Sequence, residues 1–420
     1  MWELIRSNRR KSVVLFVTMG GLLIVLGTLV GAYFDPKAGG PFGLLAAFGV
    51  WIVLSLVAYF QGDSILLHVS GAREVEKDVH PMLFNVVEEM KIAAALPAMP
   101  RIYIIDEAAP NAFATGRNPQ KSAIAVTAGL LTRLNRDELQ GVVAHEMSHI
   151  LNRDILFMTF SSVMLGSIVF ISDVFLRGSR FGGSGGRYRS GRSKAGGGLA
   201  IVAIVFAILA PIFARLLYFA ISRRREYLAD ASAVRLTRYP DGLASALEIL
   251  SRSEETLGAA NKVTAPLFIV NPLKGEGMGI SGLMSTHPPI EERVKILRML
   301  TQGVNYANYQ NAYRKLKGEG VLPASALADR ETILARAPTA TEGAPAGAMG
   351  LTAAAAKTPA APVRKSVFAA VKRDTGDLMM RVNRYRFIEC GCGLKLKIPP
   401  NFKKPEFVCP RCGKTLQVPR

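Results

Sequence analysis

Apolar positions recur along this chain at three spacings, and each spacing predicts a different element. The longest scale is continuous. Val13–Tyr33 and Pro41–Phe60 are uncharged runs, each of the ~20 residues that carry a helix across a hydrocarbon core about 30 Å thick. Ile155–Leu176 and Leu199–Ile221 form a second pair, less pure than the first. Asp173 lies near the far end of its first member, and Pro211 and Arg215 lie in its second. In an antiparallel hairpin Asp173 and Arg215 fall near opposite faces, where they are expected to snorkel separately rather than pair.

Between and after these pairs the period shortens. VHPMLFNVVEEMKIAAAL has helical apolar spacing, whereas RIYIID and SAIAVTAGLL have strand composition, with NAFATGRNPQ between them. NRDELQGVVAHEMSHI starts a helix, with Asn135 at the N-cap and Glu138 completing a capping-box pattern. Past the second pair, YPDGLASALEILSRS and PIEERVKILRML are expected as helices. The stretch 331–365 is rich in Ala, Pro and Thr and predicts a flexible linker. The expected fold class is α+β, mainly helical, an integral membrane protein with four apolar segments. Its divisions are an N-terminal transmembrane hairpin (1–60), a first soluble half (61–154) and a second transmembrane or re-entrant hairpin (155–221). A second soluble half (222–330), the linker (331–365) and a small β module (366–420) complete it.

Charge sharpens this picture. Half of the 420 residues are hydrophobic and the net charge is +20. Such an excess fits nucleic acid or an anionic membrane surface, and its distribution favours the membrane. Arg6, Arg9, Arg10 and Lys11 precede the first apolar run, and Arg223, Arg224 and Arg225 follow the last. Bases flanking spans mark cytoplasmic flanks. Nucleic acid is disfavoured and stays open only for the tail. The first run is long for a signal sequence and lacks a cleavage site after it, so it is expected as a retained span. The segment 177–198, between the second pair, carries six bases and no acids. A spanning hairpin places these against the positive-inside rule and a re-entrant one does not; the lengths favour spanning.

The candidate chemistry begins at HEMSH. His145 and His149 are one helical turn apart, which lets two imidazoles reach one tetrahedral zinc. Glu146 lies about 100° around the helix, placed to take a proton without being a ligand. A catalytic zinc takes a third protein ligand. His149 precedes the second apolar pair by six residues, and Glu226 follows it by five. If the hairpin enters and leaves on one side, its neck brings Glu226 to the histidines. Asp230, one turn beyond, falls on the same face and is placed to orient a ligating histidine through its other ring nitrogen.

HEMSH, then EYLAD after a hydrophobic hairpin, then STHPPIEER, in that order around two apolar pairs, resembles the HtpX family of membrane zinc metalloproteases, distant relatives of the CAAX prenyl proteases. The resemblance covers about residues 1–300. It implies a zincin-type (gluzincin) catalytic domain with His145, His149 and Glu226 on one catalytic zinc and Glu146 as the base. It also implies substrate binding along Asn111, Ala112, Phe113 and Ala114, where an extended edge would pair with a substrate strand. His287, held stiff by the two prolines after it, is assigned a role near the site, either at an oxyanion or in ordering the pocket. Arg293 is expected to be structural. His68 and His80 match no motif and are expected at the surface.

The tail departs from that family. Its four cysteines, Cys390, Cys392, Cys409 and Cys412, are the only ones in the chain. C-x-C and C-P-R-C knuckles beside short apolar strands fit a structural Cys₄ zinc ribbon; a redox dithiol pair is the rival. The expected function is a zinc endopeptidase at the cytoplasmic face of the cell inner (plasma) membrane, removing misfolded or damaged membrane proteins. Its cofactors would be one catalytic and one structural zinc. Its partners would be membrane lipid, membrane-protein or unfolded polypeptide substrates, and a ribbon partner that the sequence leaves unknown. The alternatives are a prenyl-protein processing protease and a silent membrane adaptor that recruits through the ribbon.

Overall fold

The computed structural model describes residues 2–181, 194–253, 255, 257, 268–270, 288–300, 303–322, 326–327, 333–339, 374–402 and 405–418. In chain order the elements begin with α1 (Trp2–Phe34), α2 (Gly39–Val69), β1 (Ala72–Glu74) and α3 (Pro81–Ala93). Three strands follow, β2 (Arg101–Ile105), β3 (Ala112–Asn118) and β4 (Lys121–Thr127), then α4 (Ala128–Leu131) and α5 (Arg136–Leu151). Next come α6 (Ile155–Phe181), α7 (Lys194–Thr237), α8 (Pro240–Arg252), α9 (Ile290–Arg298) and α10 (Tyr306–Lys317). The tail holds β5 (Arg386–Glu389), β6 (Lys395–Ile398), β7 (Glu406–Val408) and β8 (Thr415–Gln417).

Among the described residues, four helical stretches are long and apolar enough to cross a membrane: Arg10–Phe34, Gly39–Val69, Ile155–Ser179 and Ala200–Leu217. α1 and α2 approach so closely that a side chain on Gly31 would place Cβ 2.1 Å from the Gly39 carbonyl oxygen. In lipid, where apolar burial gives no drive, such close backbone contact is what holds helices together. α2 runs on to Val69, nine residues past the expected edge of its hairpin. α7 does not stop at the edge of its span either. It is one helix of 44 residues, about 66 Å long, so a single rod joins the bilayer segment to EYLAD. Asp173 pairs with Arg177 one turn along its own helix, at 2.7 Å.

The sheet has the order β1-β2-β4-β3, with β2 and β4 parallel and the other pairs antiparallel. Alternation along its strands divides two cores. Ile102, Ile104, Ala112, Ala114, Ile124 and Val126 face the core built with α3, α5 and α8. Tyr103, Ile105, Phe113, Ala123 and Ala125 face the cluster that contains Leu15, Phe157 and Met164 of the membrane helices. The sheet therefore lies between the soluble helices and the membrane bundle. The expected second strand is cut short, because the Thr127 hydroxyl accepts the Leu130 N–H and starts α4.

α5 begins at the expected capping box. Asn135 Oδ1 accepts the Glu138 N–H at 3.0 Å, and Glu138 Oε2 accepts the Asn135 N–H at 2.9 Å. Gly141 lets α5 touch α8, since a Cβ there would meet the Leu243 nitrogen at 2.6 Å. His68 is exposed as expected. His80 is half-buried, and its ring Nδ1 accepts the Leu83 N–H and caps α3.

Residues 333–339, expected as linker, lie against the catalytic part. Arg336 donates its N–H to the Arg238 carbonyl at 2.9 Å and pairs with Asp137 at 2.7 Å. The remainder of that stretch, 331–332 and 340–365, lies outside the described residues. The tail starts with helical residues 374–382, whose Leu378 and Met379 are buried in the soluble core. Two antiparallel hairpins follow, β5 with β6 and β7 with β8.

Because the cap satisfies two N–H groups at the head of α5, Asn135→Ala should cost about 1 kcal/mol. The expected result is a lower melting temperature of the detergent-purified protein; an unchanged melt would count against the cap.

Candidate active site

α5 presents His145 and His149 side by side, ring centroids 4.9 Å apart and planes at 89°. α7 brings Glu226 to them. His145 Nε2 is 3.5 Å from Glu226 Oε2, and His149 Nε2 is 3.5 Å from Glu226 Oε1. The three donor atoms lie within 4.8 Å of one another. An ion held tetrahedrally by bonds of 2.0–2.2 Å separates its ligand atoms by about 3.4 Å, so the cluster has the right size for zinc. His145 Nε2 is buried and makes no hydrogen bond among the described residues, as expected of a lone pair reserved for a metal.

The other ring nitrogens face carboxylates. His145 Nδ1 is 3.0 Å from Asp230 Oδ1, and His149 Nδ1 is 3.4 Å from Asp154 Oδ2. In the neutral imidazoles this places the proton on Nδ1 and turns the Nε2 lone pairs inward. Asp230 is held in turn by Arg293, which donates from Nε at 2.8 Å and from Nη2 at 2.7 Å. Arg293 is fully buried and its Nη1 is 3.6 Å from Glu226 Oε2. The residue expected to be structural is thus inside the site. Asp154 was not among the expected residues; its position after the helix gave no periodic signal.

Burial lowers the tendency of His145 to protonate, but the carboxylates of Asp230 and Glu226 facing its two ring nitrogens outweigh it and raise its pKa to about 9. Glu146, 2 % exposed, has its pKa raised by burial, against which the neighbouring His145 and His149 act most strongly and the Ala114 backbone least. β3 therefore runs beside the glutamate of HExxH.

The Asn111 stretch is on the same edge but is partly occupied. The Ile269 N–H donates to the Ala112 carbonyl at 3.0 Å, and Asn111 Nδ2 donates to the Val270 carbonyl at 2.9 Å. Phe113 packs edge-on against Phe268, centroids 5.1 Å apart. The chain itself pairs with β3 as far as Ala112. His287 lies outside the described residues, while Pro289 directly precedes α9, which carries Arg293.

In the tail the four cysteine sulfurs lie within 4.8 Å of one another. Cys390 Sγ is 3.4 Å from Cys412 Sγ, and Cys392 Sγ is 3.8 Å from Cys409 Sγ. These exceed a disulfide bond of ~2.05 Å and approach the ~3.8 Å edge of a tetrahedron with 2.3 Å zinc–sulfur bonds. Gly393 and Gly413, at φ +80° and +73°, turn the chain in the two knuckles.

Two imidazoles and a carboxylate at the foot of a membrane bundle, with a buried glutamate beside them, define a membrane metalloprotease. The profile of Peptidase family M48 matches residues 76–301. Proteins named Protease HtpX homolog are close relatives. The one from Dictyoglomus thermophilum is 47% identical over 299 residues, 71% of this chain and 94% of its own length. That from Caldanaerobacter subterraneus is 42% identical, over 72% of this chain and 98% of its own. That from Streptococcus agalactiae is 41% identical, over 71% and 99%. The crystal structure of S. mikatae Ste24p aligns with 71% of this chain and 67% of its own, with 21% identity and a TM-score of 0.39. The chain belongs to peptidase family M48, among its HtpX-like membrane metalloproteases. The cysteine ribbon lies beyond the matched part of the family profile.

A cation at His145 Nε2 must displace the proton that the two carboxylates favour. His145 is protonated below about pH 9, so proton competition weakens metal binding as pH falls. In a chain with the four tail cysteines changed to serine, zinc affinity should rise by about tenfold per pH unit from neutral pH toward 9. An affinity independent of pH over that range would contradict the assignment.

Proposed function

We propose that this protein is a zinc endopeptidase at the cytoplasmic face of the cell inner membrane, cutting misfolded or damaged membrane proteins. The observation that carries the zinc reading is the 3.5 Å spacing of Glu226 from both imidazole Nε2 atoms. His145, His149 and Glu226 would hold the catalytic ion, and the four cysteines a structural one. When bound, zinc would polarise the scissile carbonyl and lower the pKa of water from 15.7 toward about 7.

The remaining steps belong to the protein. Glu146 takes a proton from the attacking water and returns it to the leaving amine, and its raised pKa suits both halves of that transfer. Asp230, backed by Arg293, keeps the His145 ring turned so that Nε2 faces the ion. A substrate strand pairs with β3 beyond Ala112, because the Ala112 carbonyl is already taken by the Ile269 N–H. His287 lies just upstream of α9 and serves the pocket or the oxyanion.

Topology supports the cytoplasmic face: the basic residues at the head of α1 and at Arg223, Arg224 and Arg225 flank the spans on the side of the site. A site at the foot of the bundle favours membrane proteins, or loops drawn from them, over freely soluble folded chains. Lipid contacts the four spans, and the ribbon is available to a further partner.

Glu146→Gln is the discriminating variant. Zinc content should stay at the wild-type level, while cleavage of an unfolded membrane protein in proteoliposomes should fall by about 10²–10⁴. Loss of zinc together with activity would give Glu146 a different role, and retained cleavage would remove it from the chemistry.

A further inference from the structure

We infer that Asp154 is the positioning residue for His149 and that, through Arg225 and Ser12, it ties this histidine to the first membrane helix. The inference rests on the reading of His145, His149 and Glu226 as zinc ligands. It begins with how α5 ends. Arg153 adopts φ +62°. Its N–H donates to the Ile150 carbonyl at 3.2 Å, and the Asp154 N–H donates to the His149 carbonyl at 2.9 Å. These are the two bonds of a Schellman ending, whose left-handed position is normally glycine. An arginine there is disfavoured, and such backbone persists where its surroundings over-determine it.

That turn folds the Asp154 carboxylate back beneath His149, with Oδ2 3.4 Å from Nδ1. Asp154 is fully buried. Its other oxygen is 3.3 Å from Arg225 Nη1. The Arg225 guanidinium lies 3.5 Å over the Phe157 ring and donates from Nη2 to Ser12 Oγ at 2.8 Å. Ser12 stands near the start of the first span, which begins at Arg10. Arg225 also directly precedes Glu226 on α7. One helix therefore supplies a candidate ligand and the residue that holds the positioning carboxylate.

The two histidines are thus supported alike. His145 has Asp230 backed by Arg293, and His149 has Asp154 backed by Arg225. A carboxylate on the far ring nitrogen fixes both the tautomer and the ring plane and raises ligand basicity. The difference lies in what stands behind each arginine. Arg293 ends in the soluble core, where it donates to the Ile269 carbonyl. Arg225 ends on α1. The seating of α1 against α7 consequently bears on the geometry of one metal ligand and not the other.

The test measures zinc affinity and dissociation rate on the full chain in detergent, with the four tail cysteines changed to serine in every variant and zinc itself as the probe. Asp154→Ala should weaken zinc binding by about 10–100-fold. Asp154→Asn keeps an oxygen that accepts from Nδ1–H and should bind within a few-fold of wild type, although both variants melt lower because Arg225 loses its carboxylate. A purely structural role would lower both melts without separating the two affinities. Ser12→Ala should speed zinc release several-fold with the metal-free melt unchanged. Equal affinities for Ala, Asn and wild type would overturn the positioning role. If Asp154→Ala does not fold, Asp154→Leu, which also lacks the acceptor, takes its place in the comparison with Asp154→Asn. An unchanged release rate in Ser12→Ala would overturn the link to α1. Failure of the unsubstituted site to bind zinc at all would instead overturn the metal reading beneath both.

Discussion

A guanidinium buried away from all water has to be answered by charge, and Arg293 is answered by Asp230 through two parallel hydrogen bonds. This pair sets where the other parts of the site can be. It fastens α9 to α7, orients the His145 ring from behind, and brings Nη1 near Glu226 and the Ile269 carbonyl. Desolvation offsets most of the Coulomb attraction in such a pair, so its contribution is to register more than to net stability. Removing one partner alone costs about 3–5 kcal/mol, because the other stays buried and uncompensated. That asymmetry makes the arrangement hard to slip by a turn.

The second constraint is mechanical. α7 passes from its apolar span to Glu226 without a break, so the carboxylate is carried on the same rod as a membrane segment. The sheet lies between the membrane cluster and the soluble helices, the far end of the rod packs among those helices through Tyr227, Leu228 and Val234, and the edge strand β3 runs beside Glu146. The placement of this cluster at the foot of an apolar segment is therefore a consequence of construction. A helix long and apolar enough to cross a membrane also brings Glu226 to the two histidines.

Much of this was readable from the residues. HEMSH carried the two histidines and the glutamate because i, i+4 spacing puts side chains on one face whatever the surroundings. The capping box at Asn135 is a local device, visible for the same reason. Glu226 and Asp230 were found from where the apolar pair ends. Other features were hidden by long-range contacts. The continuity of α7 was obscured because polarity changes at Arg223 while backbone hydrogen bonding does not. Arg293 was read as structural, and its hold on Asp230 is such a part; its burial beside the histidines and Glu226 had no sign in the sequence. Asp154 was missed because its approach to His149 depends on Arg153 turning left-handed, where no glycine announces the turn. The pairing of Ile269 with β3 and the docking of 333–339 are contacts between distant segments that carry no periodic pattern.

X-ray absorption at the zinc edge, on the membrane-extracted chain with its tail cysteines replaced by serine, bears most directly on the proposed convergence of α5 and α7. The expected result is a shell of light atoms at about 2.0–2.2 Å containing two imidazoles and a carboxylate oxygen. That oxygen should be lost, with a drop in zinc retention, when Glu226 is replaced by alanine. A shell with fewer than two imidazoles, or one that Glu226→Ala leaves unaltered, would contradict it.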